Sequence, residues 1–133
     1  MSGGSAQSSG KGGGSVAWLV PRDRLPRDDE QLRLLVLAHG EAAYQRTLSE
    51  AREELAFRLA TLNRAGQASD FDQVRISARR LRRVGTEMGF PTLTNAADNV
   101  LACLAQFDAA ALGATLARLH RLGIMALSDL TEG

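Results

Sequence analysis

From Tyr44 to Leu127 the apolar residues of this chain recur at three- and four-residue steps, a spacing that suits helices and little else. Tyr44, Leu48, Ala51, Leu55, Leu59 and Leu62 fall on one face of a 3.6-residue repeat. Val74, Ala78, Leu81, Gly85 and Met88 make a second stripe, and Leu93, Ala97, Val100 and Leu104 a third. Leu112, Leu116, Leu119 and Leu127 make the fourth. A strand would alternate apolar and polar residues, and no β-branched alternating run competes. Four amphipathic faces of this kind bury themselves against one another.

The breaks between stripes carry helix-boundary residues. Pro21 and Pro26 precede the pattern, and Asp28 or Asp29 caps a first short helix over 30–39, closed by Gly40. A long helix is predicted over 41–64 and ends at Gly66. Ser69 followed by Asp72 opens a helix over 70–88; Gly89 and Pro91 separate it from one over 92–106. Asp108 caps the last, over 109–128. Short connections make neighbours antiparallel. The predicted fold is all-α, an up-and-down antiparallel four-helix bundle over 28–129 with a short preceding N-terminal helix. Residues 1–15 are almost entirely Ser and Gly and are expected to be disordered. Residues 16–27 read as an extended flap or linker, with Trp18, Leu19 and Val20 lying against the domain.

Several classes of function drop out. A formal net charge of +1 argues for no particular partner, so only local charge can. The lone Cys103 forms no intramolecular disulfide and suits a reducing cytosol. No run approaches the roughly 18 apolar residues of a membrane span, and the N-terminus lacks a signal peptide's apolar core. A cytoplasmic protein is expected. There is no Cys-x-x-Cys, no His-Glu-x-x-His and no phosphate-binding Gly-Lys-Ser/Thr loop, so neither metal, cofactor nor enzymatic activity is expected.

Local charge is concentrated on the third helix. Arg75, Arg79, Arg82, Arg83 and Thr86 share one sector opposite Val74, Leu81 and Met88, with Arg80 at its edge. Arg75–Arg79 and Arg79–Arg83 are like-charge pairs at four-residue spacing, each costing a few tenths of a kcal/mol. A charge run is also what a solvated face looks like, and Glu residues on the preceding helix would neutralise it. The first helix adds a second candidate. Leu32, Leu34, Leu35, Val36 and Leu37 are too many for one inward stripe, so Leu34 or Leu37 should be partly exposed.

The stretch Ala78-Arg79-Arg80-Leu81-Arg82-Arg83, with Met88-Gly89 behind it, resembles the core motif of histidine phosphotransfer (HPt) domains. That family reads Ala-His-x-Leu-Lys-Gly, with an apolar residue and Gly ending the motif ten positions after the histidine. Ala78, Leu81, Met88 and Gly89 are in register, and Arg82 stands at the lysine position. Arg79 stands at the phosphoacceptor histidine and Arg83 at the glycine. A guanidinium offers no usable nucleophilic lone pair, so Arg79 cannot carry phosphate. The resemblance therefore implies a non-catalytic interaction module of a two-component phosphorelay. Its partner would be a response-regulator receiver domain or a histidine kinase. Arg79 would engage a carboxylate bidentately, helped by Arg75, Arg80, Arg82, Arg83 and Thr86, with Leu34 and Leu37 as an apolar flank. Neither His39 nor His120 has the motif's context. Two other readings stand beside this one. Nucleic-acid binding through the arginine face is disfavoured by near-neutral charge and the lack of nearby aromatics. A dimerisation module would be sealed by the first-helix leucines, whereas the leading reading expects a monomer.

Overall fold

The computed structural model describes residues 24–132, which are all-helical, with no strand among them. The Ser/Gly tail and the Trp18–Val20 part of the expected flap lie outside the described residues. Four helices follow in order: α1 Asp29–Ala68, α2 Phe71–Glu87, α3 Pro91–Ala105 and α4 Ala109–Glu132. Consecutive helices pack on one another, and α1 also packs on α4. The short first helix and the long second one are two segments of α1. They are joined at Gly40, whose φ of 85° and ψ of 165° break the helix.

The four predicted stripes make the core. Leu55, Leu59 and Leu62 of α1 meet Val74, Ala78 and Leu81 of α2, Leu93, Ala97 and Val100 of α3, and Leu119 of α4. Each such leucine contributes about 1.5–3 kcal/mol by leaving water. Tyr44, Leu48, Leu116 and Leu127 are only half-buried. Ala126 and Leu130, outside the predicted stripe, are buried in their place at the end of α4.

Several boundaries move. Gly66 does not end α1, which runs on to Ala68 and closes with Ser69 at a left-handed φ of 56°. A Cβ at Gly66 would meet Leu116 Cδ1 of α4 at 3.5 Å, an ordinary contact, and the glycine sits within the helix rather than at its stop. Asp70, not Ser69, caps α2 by accepting from the Gln73 amide at 3.3 Å. Asp28 and Asp108 cap α1 and α4 as expected, accepting from Gln31 and Ala111 at 3.1 Å each.

The largest shift is at the termini. α4 continues past 128, because buried Asp129 accepts the Leu25 amide at 3.1 Å and Arg52 donates to the Leu130 carbonyl at 3.1 Å. Leu25 is itself buried. Arg27 donates through Nε to the Met88 carbonyl at 3.0 Å and lays its guanidinium 4.7 Å from the Phe90 ring centroid. Residues 25–27, read from sequence as flap, are part of the packed fold. Their anchoring partners lie more than 60 residues away, so no local pattern marks these contacts.

The turn between α2 and α3 fixes the end of the arginine helix. Gly89 adopts φ 75°, Phe90 N–H donates to Gly85 C=O at 2.7 Å, and Gly89 N–H donates to Thr86 C=O at 3.4 Å. This is a Schellman closure, and Phe90, just beyond the glycine, is fully buried beneath it.

Candidate docking surface

Helix α2 carries the arginines outward because its other face is committed to the core. Val74, Ser77, Ala78, Leu81, Val84 and Gly85 are buried. Arg79, Arg80, Arg82, Arg83 and Thr86 are exposed, and Arg75 is half-buried. The predicted sector is therefore the solvent face.

Its charges are not equivalent. Arg75 pairs with Asp72 at 3.0 Å, Arg82 with Asp98 of α3, and Arg83 with Glu87 at 3.4 Å. These three are the i−4, i+3 and i+4 neighbours of Arg79, the positions that surround a residue on a helix surface. Among the described residues neither Arg79 nor Arg80 has a carboxylate within 4.0 Å. Arg79 is thus an unpaired cation ringed by three neutralised ones. The sequence expectation that the preceding helix would neutralise the face is corrected in part. Glu54 pairs with Arg58 of its own helix at 2.8 Å, and the helix after α2 supplies Asp98. Sequence reasoning missed Asp98 because nothing local links it to Arg82, 16 positions away.

The two candidate patches come together at the end of α2. Asp28 N–H donates to Gly89 C=O at 2.7 Å, and Gln31 Nε2 donates to Thr86 C=O at 2.7 Å. The first segment of α1 therefore starts beside the last turn of the arginine helix. Leu34 lines a shallow groove with Gln31, Leu35 and His39. These last three also line a groove with Thr47, Glu50 and Glu87, and that one adjoins a third holding Arg80 and Arg83. The three grooves thus share walls in series between Leu34 and Arg83.

Not every predicted residue belongs to it. Leu34 and Leu37 are 55 % and 72 % exposed, as expected, but Leu37 lies outside these grooves. Arg75 lines a different cavity, near the start of α2. Thr86 is exposed, with its hydroxyl 3.4 Å from that of Thr94. His39 is exposed at the groove edge, whereas His120 is half-buried between α1 and α4 beside Leu62 and Leu116. Cys103 is half-buried, 3.7 Å from the Thr115 hydroxyl. No group of three potential metal ligands occurs among the described residues, and no helix in them is long and apolar enough to cross a membrane.

Beneath the surface, Gly85 sets how closely α3 approaches. A Cβ there would lie 2.6 Å from Thr94 Oγ1 and 3.0 Å from the Thr94 amide nitrogen. That contact brings the first turns of α3 against the end of α2, and so helps bring Asp98 within reach of Arg82.

No protein-family model matches the sequence, and no curated protein or solved structure matches the chain.

Proposed function

We propose that this chain is an HPt-like interaction module of a two-component phosphorelay that binds a receiver domain or histidine kinase without carrying phosphate. The helix order and short turns are read as an up-and-down antiparallel four-helix bundle in the manner of that family, with α2 as its motif helix. The observation that carries the reading is Arg79, an exposed and unpaired guanidinium at the place of the phosphoacceptor, ringed by arginines that already have carboxylates.

Two adjacent cations without carboxylates among the described residues, Arg79 and Arg80, stand beside paired ones and suit a partner with a compact acidic cluster. The fork of Arg79 binds one carboxylate through two N–H donors, and the flanking ion pairs keep neighbouring charge from spreading the contact. The same ring disfavours nucleic acid. A duplex presents charge continuously along its axis, and the pairing of Arg75, Arg82 and Arg83 with carboxylates leaves few free cations to follow it. Leu34 and Leu35 supply apolar area in the groove at the first segment of α1, and Arg80 and Arg83 supply charge in the groove at α2. Bound in this way, the module competes with a true phosphocarrier for the receiver's acidic face.

Titration calorimetry against purified receiver domains, combined with incubation against their phosphorylated forms, tests the proposal. Binding without a phosphohistidine signal is the expected result. Phosphate transfer that disappears on changing His39 or His120 would overturn it.

A further inference from the structure

The described chain before Ala51 is tied to the other helices at one end only. Leu25 is buried, yet no residue from Pro26 to Glu50 is. Leu32 packs half-buried on the core, and Leu35 and Val36 are half-buried beside it. Among the described residues, the hydrogen bonds from this segment to other helices and turns all start within residues 25–31. Leu25 N–H donates to Asp129 Oδ2 at 3.1 Å, and Arg27 Nε to Met88 C=O at 3.0 Å. Asp28 N–H and Gln31 Nε2 donate to Gly89 C=O and Thr86 C=O at 2.7 Å each. Asp129 is 9 % exposed, and among the described residues the Leu25 amide is the one donor to its side chain. A buried carboxylate with so few partners is costly to a fold, and what this one fixes is the backbone of Leu25. Beyond the tied residues stands Gly40, at φ 85° and ψ 165°, a region open to glycine almost alone. Nothing lies within 4 Å of a Cβ placed there, so no neighbour holds the bend.

We infer that residues 24–39 form an arm that opens as one unit about Gly40 and is latched shut by Leu25 and Asp129. Hinges are a few residues that absorb a large backbone change, and the unsupported bend at Gly40 supplies one. The latch is weaker than the packing it adjoins. One buried side chain and a few hydrogen bonds hold the arm, where Leu55, Leu59 and Leu62 hold the rest of α1. A helix as short as 29–39 is marginal in water, so the detached arm unwinds. Opening also carries Gln31 and Leu34 away from Thr86 and Arg83, which gives docking at the arginine face a switch. That consequence rests on the function proposed above, whereas the opening itself does not. A partner touching Leu34 and Arg83 together favours the latched arm, and the latched arm favours that partner by the same factor.

Native-state hydrogen exchange of the full chain, followed amide by amide, reads the opening. The amides of residues 33–39 are expected to share one protection factor, at least about 100-fold below that of Leu55 and Leu59. Low urea should change it little, because opening the arm exposes little surface. Val100→Ala, deep in the bundle, should speed exchange at Leu55 and Leu59 and leave residues 33–39 unchanged, since the opened arm keeps that side chain packed. Leu25→Ala should speed all of residues 33–39 by one common factor, roughly 10 or more, and Asp129→Ala should speed the same set. Protection of residues 33–39 equal to that of the core would overturn the inference. So would their acceleration by Val100→Ala, or a Leu25→Ala effect confined to the residues nearest position 25. The measurement is made on the chain alone, so a receiver that fails to bind overturns the docking proposal and leaves this result standing.

Discussion

The backbone amide of Asp28 donates to the carbonyl of Gly89 at 2.7 Å, joining the start of α1 to the left-handed turn that ends α2. Asp28 also caps α1 through its side chain, so one residue both starts that helix and attaches it to the arginine helix. The attachment sets where Gln31 and Leu34 stand relative to Thr86 and Arg83. Separate patches in the sequence become one surface through this junction.

Gly89 is therefore a sensitive position at the base of this surface. Alanine there takes on a φ of 75° and places a Cβ 3.0 Å from the Asp28 carbonyl oxygen. The expected loss is about 1–3 kcal/mol, from the left-handed penalty and the displaced junction together. Urea unfolding should show a lower midpoint with an unchanged slope. Gly113→Ala is the control. It lies within α4 with nothing inside 4 Å of the new Cβ, and should gain about 0.5–1 kcal/mol.

If the docking proposal holds, Arg79→Ala is expected to weaken partner binding by about 1–3 kcal/mol, because it removes the unpaired guanidinium proposed to meet a carboxylate. The melting temperature should hold or rise slightly, since like-charge neighbours lose a repulsion. Arg82→Ala breaks the pair with half-exposed Asp98, and the stability change should stay within about 1 kcal/mol. Calorimetry at two salt concentrations separates these effects. Unchanged affinity in both variants would place the interface elsewhere on the molecule.

Helix identity and the core were legible because the apolar period is strict. Leu55, Leu81, Leu93, Val100 and Leu119 were predicted inward and are fully or almost fully buried. The outward sector of α2 was legible for the same reason. What stayed hidden depends on long-range partners. That Arg82 is paired follows from Asp98 on another helix, and the nearness of the leucine and arginine patches follows from the Asp28–Gly89 junction.

Leu34 lines the groove that leads to Arg83, whereas Leu37 does not. Leu34→Asp should therefore reduce partner affinity more than Leu37→Asp. Both side chains are largely in water, so unfolding free energies should stay within about 0.5 kcal/mol of the unmodified chain. Equal effects of the two substitutions on affinity would show that contact follows exposure alone and not the groove.

Restoring phosphate acceptance should require more than the missing histidine. Arg79→His supplies an imidazole whose neutral form has a nucleophilic nitrogen, which a guanidinium never offers. Arg83 remains one turn away, and under the HPt-like proposal its bulk would still obstruct a receiver's approach. The single variant should label weakly from a phosphorylated receiver domain, and Arg79→His with Arg83→Gly should label more. Removing Arg83 has a second consequence, because Glu87 loses its partner at 3.4 Å and becomes a free carboxylate two turns, about 12 Å, from the new imidazole. A free negative charge there opposes the incoming phosphoryl group. Adding Glu87→Gln should raise labelling again, and the rise should shrink as salt screens the repulsion. A phosphohistidine readout across the three variants orders these contributions. Equal labelling with and without Glu87→Gln would show that steric clearance alone limits transfer.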